Sequence, residues 1–450
     1  MINRKITLMM LGLLTFSSTH TFAQQTPDAE RLKLDLQTAL QIAADQNPTI
    51  KIANLEIQRV NYSKWETISG LFPGISATGQ YINNIKKSVM FVPPAMAALS
   101  GGQPYMEIGY TNAYTGTLAA SMPLVNFSLW ESIKAKQYDM DLVLEQVRAS
   151  KVDMTKQVKD AYYMVLLSNA SLDVLEQSIT NAKETLKTTK AAYEQGVVSE
   201  YDYIRASVQV NNLNPAYIQA KNGVELALMQ LKMLLSLPAN QEIDITETLE
   251  SFSTNLSLLD LMETNATLDN NTELKQLDLN IKSLESKLKL INTQYLPSLS
   301  AFGQYAYQTQ ADDFKFNDYN WVGSAQLGLQ LSIPISGMNV ILQAKQAKIA
   351  IQELELQKDY VIDGMDLQIR SAIDNMKAAN EQLIANRDAI SQAERGYEIA
   401  KVRYQTGTGT ILELNDSELS MTQAKLNFQQ SLYNFLTAQS NLDKVMGKEN

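Results

Sequence analysis

The chain has 450 residues, no cysteine, a single histidine at position 20 and a formal net charge of −10. The absence of cysteine excludes disulfides and a lipidated N-terminal cysteine, and with only His20 the usual zinc ligands and neutral-pH general base are missing. Acid spread along the whole chain is a poor match for nucleic acid. No paired-carboxylate motif, phosphate-cradling glycine loop or nucleophile elbow is present, so the sequence points away from an enzyme and from any cofactor or metal.

Arg4 and Lys5, the apolar run 6–14 and Thr21-Phe22-Ala23 predict a secretory signal over residues 1–23. Its removal takes the net charge from −10 to about −12, because Arg4 and Lys5 are its only charges. The apolar run is shorter than the ~20 residues of a spanning helix, and no later stretch is long enough either.

Beyond the signal the chain is written twice. Asn47-Pro48-Thr49-Ile50-Lys51 returns as Asn271-Thr272-Glu273-Leu274-Lys275, and Leu71-Phe72-Pro73-Gly74-Ile75 returns as Tyr295-Leu296-Pro297-Ser298-Leu299. The first repeat is expected over 24–235, an equatorial connection over 236–272, and the second repeat over 273–450. In the first, the pattern predicts a helix at 36–69, strands at about 75–92 and 109–124, a long helix at 128–193 and a helix at 199–235. The second predicts a helix at 273–292, strands at about 297–310 and 320–335, a long helix at 338–404 and a helix at 410–446.

The strands alternate. Ile75, Ala77, Gly79 and Tyr81 share one face and Ser76, Thr78 and Gln80 the other; Leu327, Leu329 and Leu331 alternate with Gln326, Gly328 and Gln330. This is the apolar-out, polar-in period of a membrane barrel with a wet lumen, although such strands taken singly also fit a soluble sandwich. Pro73 and Pro297 sit at helix-to-strand junctions, Pro123 and Pro334 at strand-to-helix junctions. Trp65, Trp130 and Trp321 lie near strand ends, as interfacial anchors or as ordinary packed indoles. The longer first loop, with Phe91-Val92-Pro93-Pro94-Ala95-Met96, is expected at the cell surface.

The long helices carry heptads. Val158, Val165, Leu172, Ile179, Leu186 and Tyr193 form a large row beside the small row Ala161, Ser168, Leu175, Ala182 and Thr189. Ile369, Met376, Leu383, Ile390, Tyr397 and Tyr404 repeat the arrangement beside Ala372, Ala379, Asn386, Ala393 and Ala400. Each rod ends at a glycine turn: Tyr193-Glu194-Gln195-Gly196 in the first and Tyr404-Gln405-Thr406-Gly407 in the second, with Ser199 and Thr410 as N-caps of the return helices. Asn214-Pro215 predicts a kink in the first return helix.

Four strands cannot close a barrel, since the smallest have about eight, and open edges in lipid leave backbone groups unpaired at several kcal/mol each. Cyclic association removes those edges, and three copies supply twelve strands and an open lumen. The expected fold class is therefore mainly α with a transmembrane β-barrel portion: duplicated coiled-coil hairpins and four membrane strands per chain, with a 12-strand barrel and a 12-helix α-barrel completed in a homotrimer.

Over more than 400 residues this plan resembles the outer-membrane efflux protein (TolC) family, together with the Tyr193 to Asp202 tip, its partner Tyr404 to Asp416 and Leu234-Leu235-Ser236-Leu237-Pro238. The resemblance implies a homotrimeric channel-tunnel set in outer-membrane lipid, its helical part in the periplasm. It would serve as the passive exit duct of a tripartite efflux or type I secretion system, with a periplasmic adaptor (membrane fusion) protein and an inner-membrane pump as partners. It also implies that Glu413 and Asp416 form an acidic ring at the periplasmic gate. The tip residues Tyr193, Glu194, Gly196, Ser199, Tyr404, Gly407, Gly409 and Thr410 would meet the adaptor. An acidic first helical turn that suits the helix dipole is the plainer account of Glu413 and Asp416. Where some family members tie the closed tip with an arginine, this chain has Gly409, so that lock is in doubt; Glu194 stands where its acidic partner would be. A periplasmic coiled-coil adaptor remains the alternative, and the sequence does not identify the cargo.

Overall fold

The computed structural model describes residues 31–93, 103–255, 268–335 and 337–449. The expected signal, residues 94–102 of the first surface loop and residues 256–267 of the connection lie outside the described residues. In chain order the elements are β1 (Leu32–Leu34), α1 (Leu36–Gln46), α2 (Pro48–Ser69), β2 (Gly74–Asn83), β3 (Ser88–Phe91), β4 (Tyr105–Ile108), β5 (Asn112–Val125), α3 (Phe127–Glu194) and α4 (Glu200–Leu235). There follow β6 (Ile243–Ile245), a 3-10 turn (Leu249–Asn255), α5 (Thr272–Thr293), β7 (Ser298–Ala311), a 3-10 turn (Phe316–Asp318), β8 (Val322–Ser332), α6 (Met338–Gln405) and α7 (Ile411–Val445).

Each long helix has 68 residues, a rod of about 100 Å at ~1.5 Å per residue. Their heptad positions are the packed ones: Val158, Val165, Met376 and Leu383 are all buried. Contacts order the helices into a wall four rods wide. Near the sheet the order is α2-α3-α5-α6, and toward the tip it is α4-α3-α7-α6. The long α3 and α6 run the full length, while α4 with α2 and α7 with α5 stack end to end as two composite rods. No helix among the described residues is long and apolar enough to cross a membrane.

The membrane wall is one antiparallel sheet in the order β2-β5-β7-β8. Its register carries the alternation across all four strands. Ala77, Leu118, Tyr305 and Ala325 line up on one face, next to Ile75, Ala120, Gly303 and Leu327; Thr78, Thr117, Ala306 and Ser324 line up on the other. Leu327, Leu329 and Ile75 on the apolar face are 90%, 67% and 73% exposed, so none of the described residues covers them. Strands of 10 to 14 residues, at ~3.3 Å per residue and a tilt of ~40°, are tall enough for the roughly 25 Å apolar band of an outer-membrane barrel. Tyr307 stacks on Trp321 and Tyr81 on Tyr114 near the loop end of the sheet, where amphipathic rings suit a membrane boundary.

Several expectations differ from the structure. The helix expected over 36–69 is two helices: the Asn47 side chain caps α2, Pro48 opens it, and the chain turns between them because a residue before proline is held extended. The strand expected over 75–92 stops at Asn83, and residues 88–91 pair instead with 105–108 in a separate ribbon. The expected strand 109–124 starts at Asn112, because Asn112 and Thr111 are taken up by loop contacts: Asn112 accepts from Tyr81 and Asn83, and Thr111 donates to Asp312. Nor does Pro123 end its strand. β5 runs on to Val125 through a bulge at Leu124, which absorbs the missing amide proton. Pro215 lies inside one continuous α4.

The equator is held by a short parallel pair, β1 with β6, and by buried polar contacts. Tyr162 is fully buried and donates to Glu247 Oε2 at 2.7 Å, which also accepts from the Leu36 amide at 2.9 Å. Arg148 ties the end of the second repeat to its start, donating to the Gly447 and Asn270 carbonyls and pairing with Glu145.

Candidate functional site

The tip is built twice by the same local rules. α3 is capped by Gln195 and Gly196 takes φ +74°; α6 is capped by Thr406 and Gly407 takes φ +72°, a left-handed conformation that glycine adopts without steric cost. Ser199 and Asp202 then form a reciprocal capping box on α4, and Thr410 Oγ1 accepts from the Glu413 amide at the start of α7. Gly409 is not left-handed, but it is crowded: a Cβ there would lie 3.0 Å from Arg403 Cβ.

The predicted residues divide into separate roles. Tyr193 stays within the first hairpin, its ring stacked on Tyr203 at 5.6 Å. Glu194 pairs with Lys190 one turn back, at 3.9 Å. Tyr404 reaches across to the other hairpin, where its hydroxyl meets the buried Thr189 Oγ1 at 2.8 Å. Glu413 and Asp416 are exposed on one face of the first two turns of α7.

Arg403 was not singled out from the sequence. It lies on α6 one residue before the tip tyrosine, within 3.4 Å of Glu413, and it donates to the Thr408 carbonyl at 3.3 Å. A guanidinium thus stands at this tip although position 409 is glycine, and its partner is Glu413 rather than Glu194. The signal was available as a basic residue in the last helical turn, but that also reads as an ordinary dipole partner.

Between the hairpins the tip encloses a groove of about 640 Å³, lined by Asn181 and Thr188 of α3, Val197 of the first turn, Lys401 of α6 and Leu414 of α7. Tyr397, Ile411 and Leu414 of its lining belong to an apolar cluster completed by Ala206 and Met421. Burial is the main cause that pushes the Tyr397 hydroxyl up to about 12, so it stays a neutral donor. At the opposite end of the molecule Asp312 draws Lys87 to 2.8 Å and accepts from Thr111, contacts that hold its carboxyl down at about 2 and fasten the loops of the two repeats together.

Comparison with known proteins agrees with this geometry. The sequence profile of the outer membrane efflux protein family matches residues 39–236 and 264–448. The chain is 23% identical over 427 residues to the probable efflux pump outer membrane protein TtgC of Pseudomonas putida, covering 92% of this chain and 82% of that one. It is 23% identical over 361 residues to the outer membrane protein TolC of Escherichia coli, covering 76% and 70%. Its fold matches the crystal structure of the Campylobacter jejuni CmeC outer membrane channel with a TM-score of 0.71 at 18% identity, over 92% of this chain and 85% of that one. The two relatives are named as outer membrane proteins and CmeC as an outer membrane channel, none as a periplasmic adaptor, and the chain belongs to the outer membrane efflux protein family.

Proposed function

We propose that three copies of this chain close into a tube that is the outer-membrane exit duct of a tripartite efflux or type I secretion machine. The carrying observation is the open sheet. β2 and β8 are its two edges, each with an unpaired row of backbone groups, while one face is apolar and the other polar. Joining β8 of one copy to β2 of the next removes every edge and turns the polar face toward a wet lumen.

The helical wall supports the same closure. Its edges carry unpartnered apolar rows: Ile52, Leu55, Tyr62 and Trp65 on α2; Ile204, Val208, Leu226 and Met229 on α4; and Ile349, Leu356, Tyr360 and Leu367 on α6. A ring sets α6 of one copy against the α2–α4 rod of its neighbour, so three copies of a four-rod wall make twelve rods. The protein conducts and does not catalyse; energy comes from an inner-membrane pump reached through a periplasmic adaptor.

The tip is the gate. Three-fold symmetry makes Glu413 and Asp416 rings of three carboxylates that favour cations, while Thr189–Tyr404 and Arg403–Glu413 restrain the closed arrangement. The groove between the hairpins and the turns around Gly196 and Gly407 are the surface for the adaptor.

The natural absence of cysteine allows a clean test. Paired cysteines in one chain, one at Thr78 on β2 and one at successive positions along β8, should give trimer-sized crosslinked products from membranes in at least one register. The detergent-purified protein should conduct in planar bilayers. A detergent-free monodisperse monomer without channel activity would refute the reading.

A further inference from the structure

Between the two hairpins, just above the gate, runs a buried polar seam. Ser178 and Asn181 of α3 face Asn415, Glu418 and Thr422 of α7, and Thr422 donates to Ser178 at 3.1 Å. At its centre Glu418 is only 1% exposed, and its Oε1 has no hydrogen-bond partner. An orphaned carboxylate oxygen in a packed interface is costly if the group is ionised.

The groups around Glu418 do not neutralise it. From α3, Asn181 offers a neutral amide, and Glu184 is a further acid near Tyr397. From α6 come Tyr397, which is neutral, and Lys401, whose ammonium lies 5.8 Å from the Tyr397 ring centre and forms no ion pair with Glu418. α4 contributes only the aliphatic Ala206 to the adjoining cluster, and on α7 itself Glu413 and Asp416 lie exposed.

We propose that Glu418 is a proton-operated latch between the hairpins: as the neutral acid it lets α3 and α7 stay packed and the tip stay closed, and as the carboxylate it draws water into the seam and favours the parted, open tip. This rests on the reading of the tip as a gate. Burial is the first cause that raises the Glu418 carboxyl from 4.5 to about 7, while Asn181 and Lys401 act in the opposite sense. The sign follows. The packed seam holds the proton more tightly than a hydrated one, so packing is favoured fully below the ordinary carboxylate range and loses that advantage as pH rises through about 7. The shift corresponds to a change of up to ~300-fold per chain in the packed-to-parted ratio between the two limits.

The test uses the full-length protein in detergent or lipid, with spin labels on cysteines placed at the exposed positions Lys187 of α3 and Arg395 of α6. Label separation and single-channel conductance are followed from pH 5.5 to 8.5. Wild type should part its labels with a midpoint near 7. Glu418→Gln, a neutral isostere, should keep the short separation throughout, and Glu353→Gln, at an exposed carboxylate of α6 far from the tip, should leave the transition in place. An unchanged transition in Glu418→Gln, its loss in Glu353→Gln, or no movement in wild type overturns the latch. Labels that part without any change in conductance uphold the latch and refute the gate reading instead.

Discussion

Asn47 and Asn271, equivalent residues of the two repeats, each perform the same two tasks. Asn47 Oδ1 accepts from the Thr49 amide at 2.8 Å, capping α2, while its Nδ2 donates at 2.8 Å to the Leu234 carbonyl at the end of α4. Asn271 Oδ1 accepts from the Glu273 and Leu274 amides, each at 3.0 Å, and its Nδ2 donates at 2.8 Å to the Val445 carbonyl at the end of α7. One amide thus satisfies the orphan groups of two helix ends and welds two short helices into one rod. Asparagine suits the position because it carries both an acceptor and a donor.

Substituting either residue should therefore cost more than an ordinary cap. Asn47→Ala or Asn271→Ala is expected to lower stability by about 2 kcal/mol, a lost cap plus a buried carbonyl left without its donor. Asp at either position keeps the cap but sets an anionic oxygen against a carbonyl, so it should not rescue. Thermal unfolding of the single variants checks both outcomes.

The Thr189–Tyr404 contact spans the two hairpins, and it is the polar link nearest the tip turns. Tyr404→Phe and Thr189→Val each remove it with little change of shape. Each should weaken closure by about 1 kcal/mol and raise the conductance of the resting channel. The double variant should do little more than either single one; fully additive effects in a double-mutant cycle would show that the two hydroxyls act independently.

Arg403 and Glu413 are both about half exposed and stand 3.4 Å apart. Such a pair is worth less than about 1 kcal/mol and is screened by salt. Arg403→Ala should increase conductance modestly at low ionic strength and negligibly in molar salt. A salt-independent effect would point to packing of the Arg403 stem rather than to charge.

Cation selectivity should follow the two acidic positions. Reversal potentials in asymmetric salt should move toward zero in Glu413→Ala with Asp416→Ala, with a larger conductance. Unchanged selectivity in that double variant removes both residues from the gate.

The equator offers a stability test away from conduction. Tyr162→Phe takes a donor from Glu247 and should cost about 1 kcal/mol, because the half-buried carboxylate keeps the Leu36 amide but loses the hydroxyl. Urea unfolding measures it, and because Tyr162 stands away from the tip, conductance per channel should stay the same.

How much of this was legible from residue order depends on the range of the interaction. Periodicity is local, so the heptads of Val158 to Tyr193, the alternation of Ile75 to Tyr81 and the glycine ends at Gly196 and Gly407 placed the long rods, the membrane strands and the tips directly. Duplication required no contacts at all. Contacts between distant segments were a different matter. Asn47 fell inside a helix expected to run unbroken over 36–69, and neither Arg403 nor Glu418 was singled out at all. Each owes its role to a partner brought near only by folding: the Leu234 carbonyl, Glu413, and the packed seam of α3 against α7. The order of the rods in the wall, and with it which apolar rows are left without a neighbour, likewise came only from the tertiary structure. A helix advertises its apolar stripe in sequence, but the stripe is equally compatible with any other stripe of the same period, and only the shape of the folded chain selects between them.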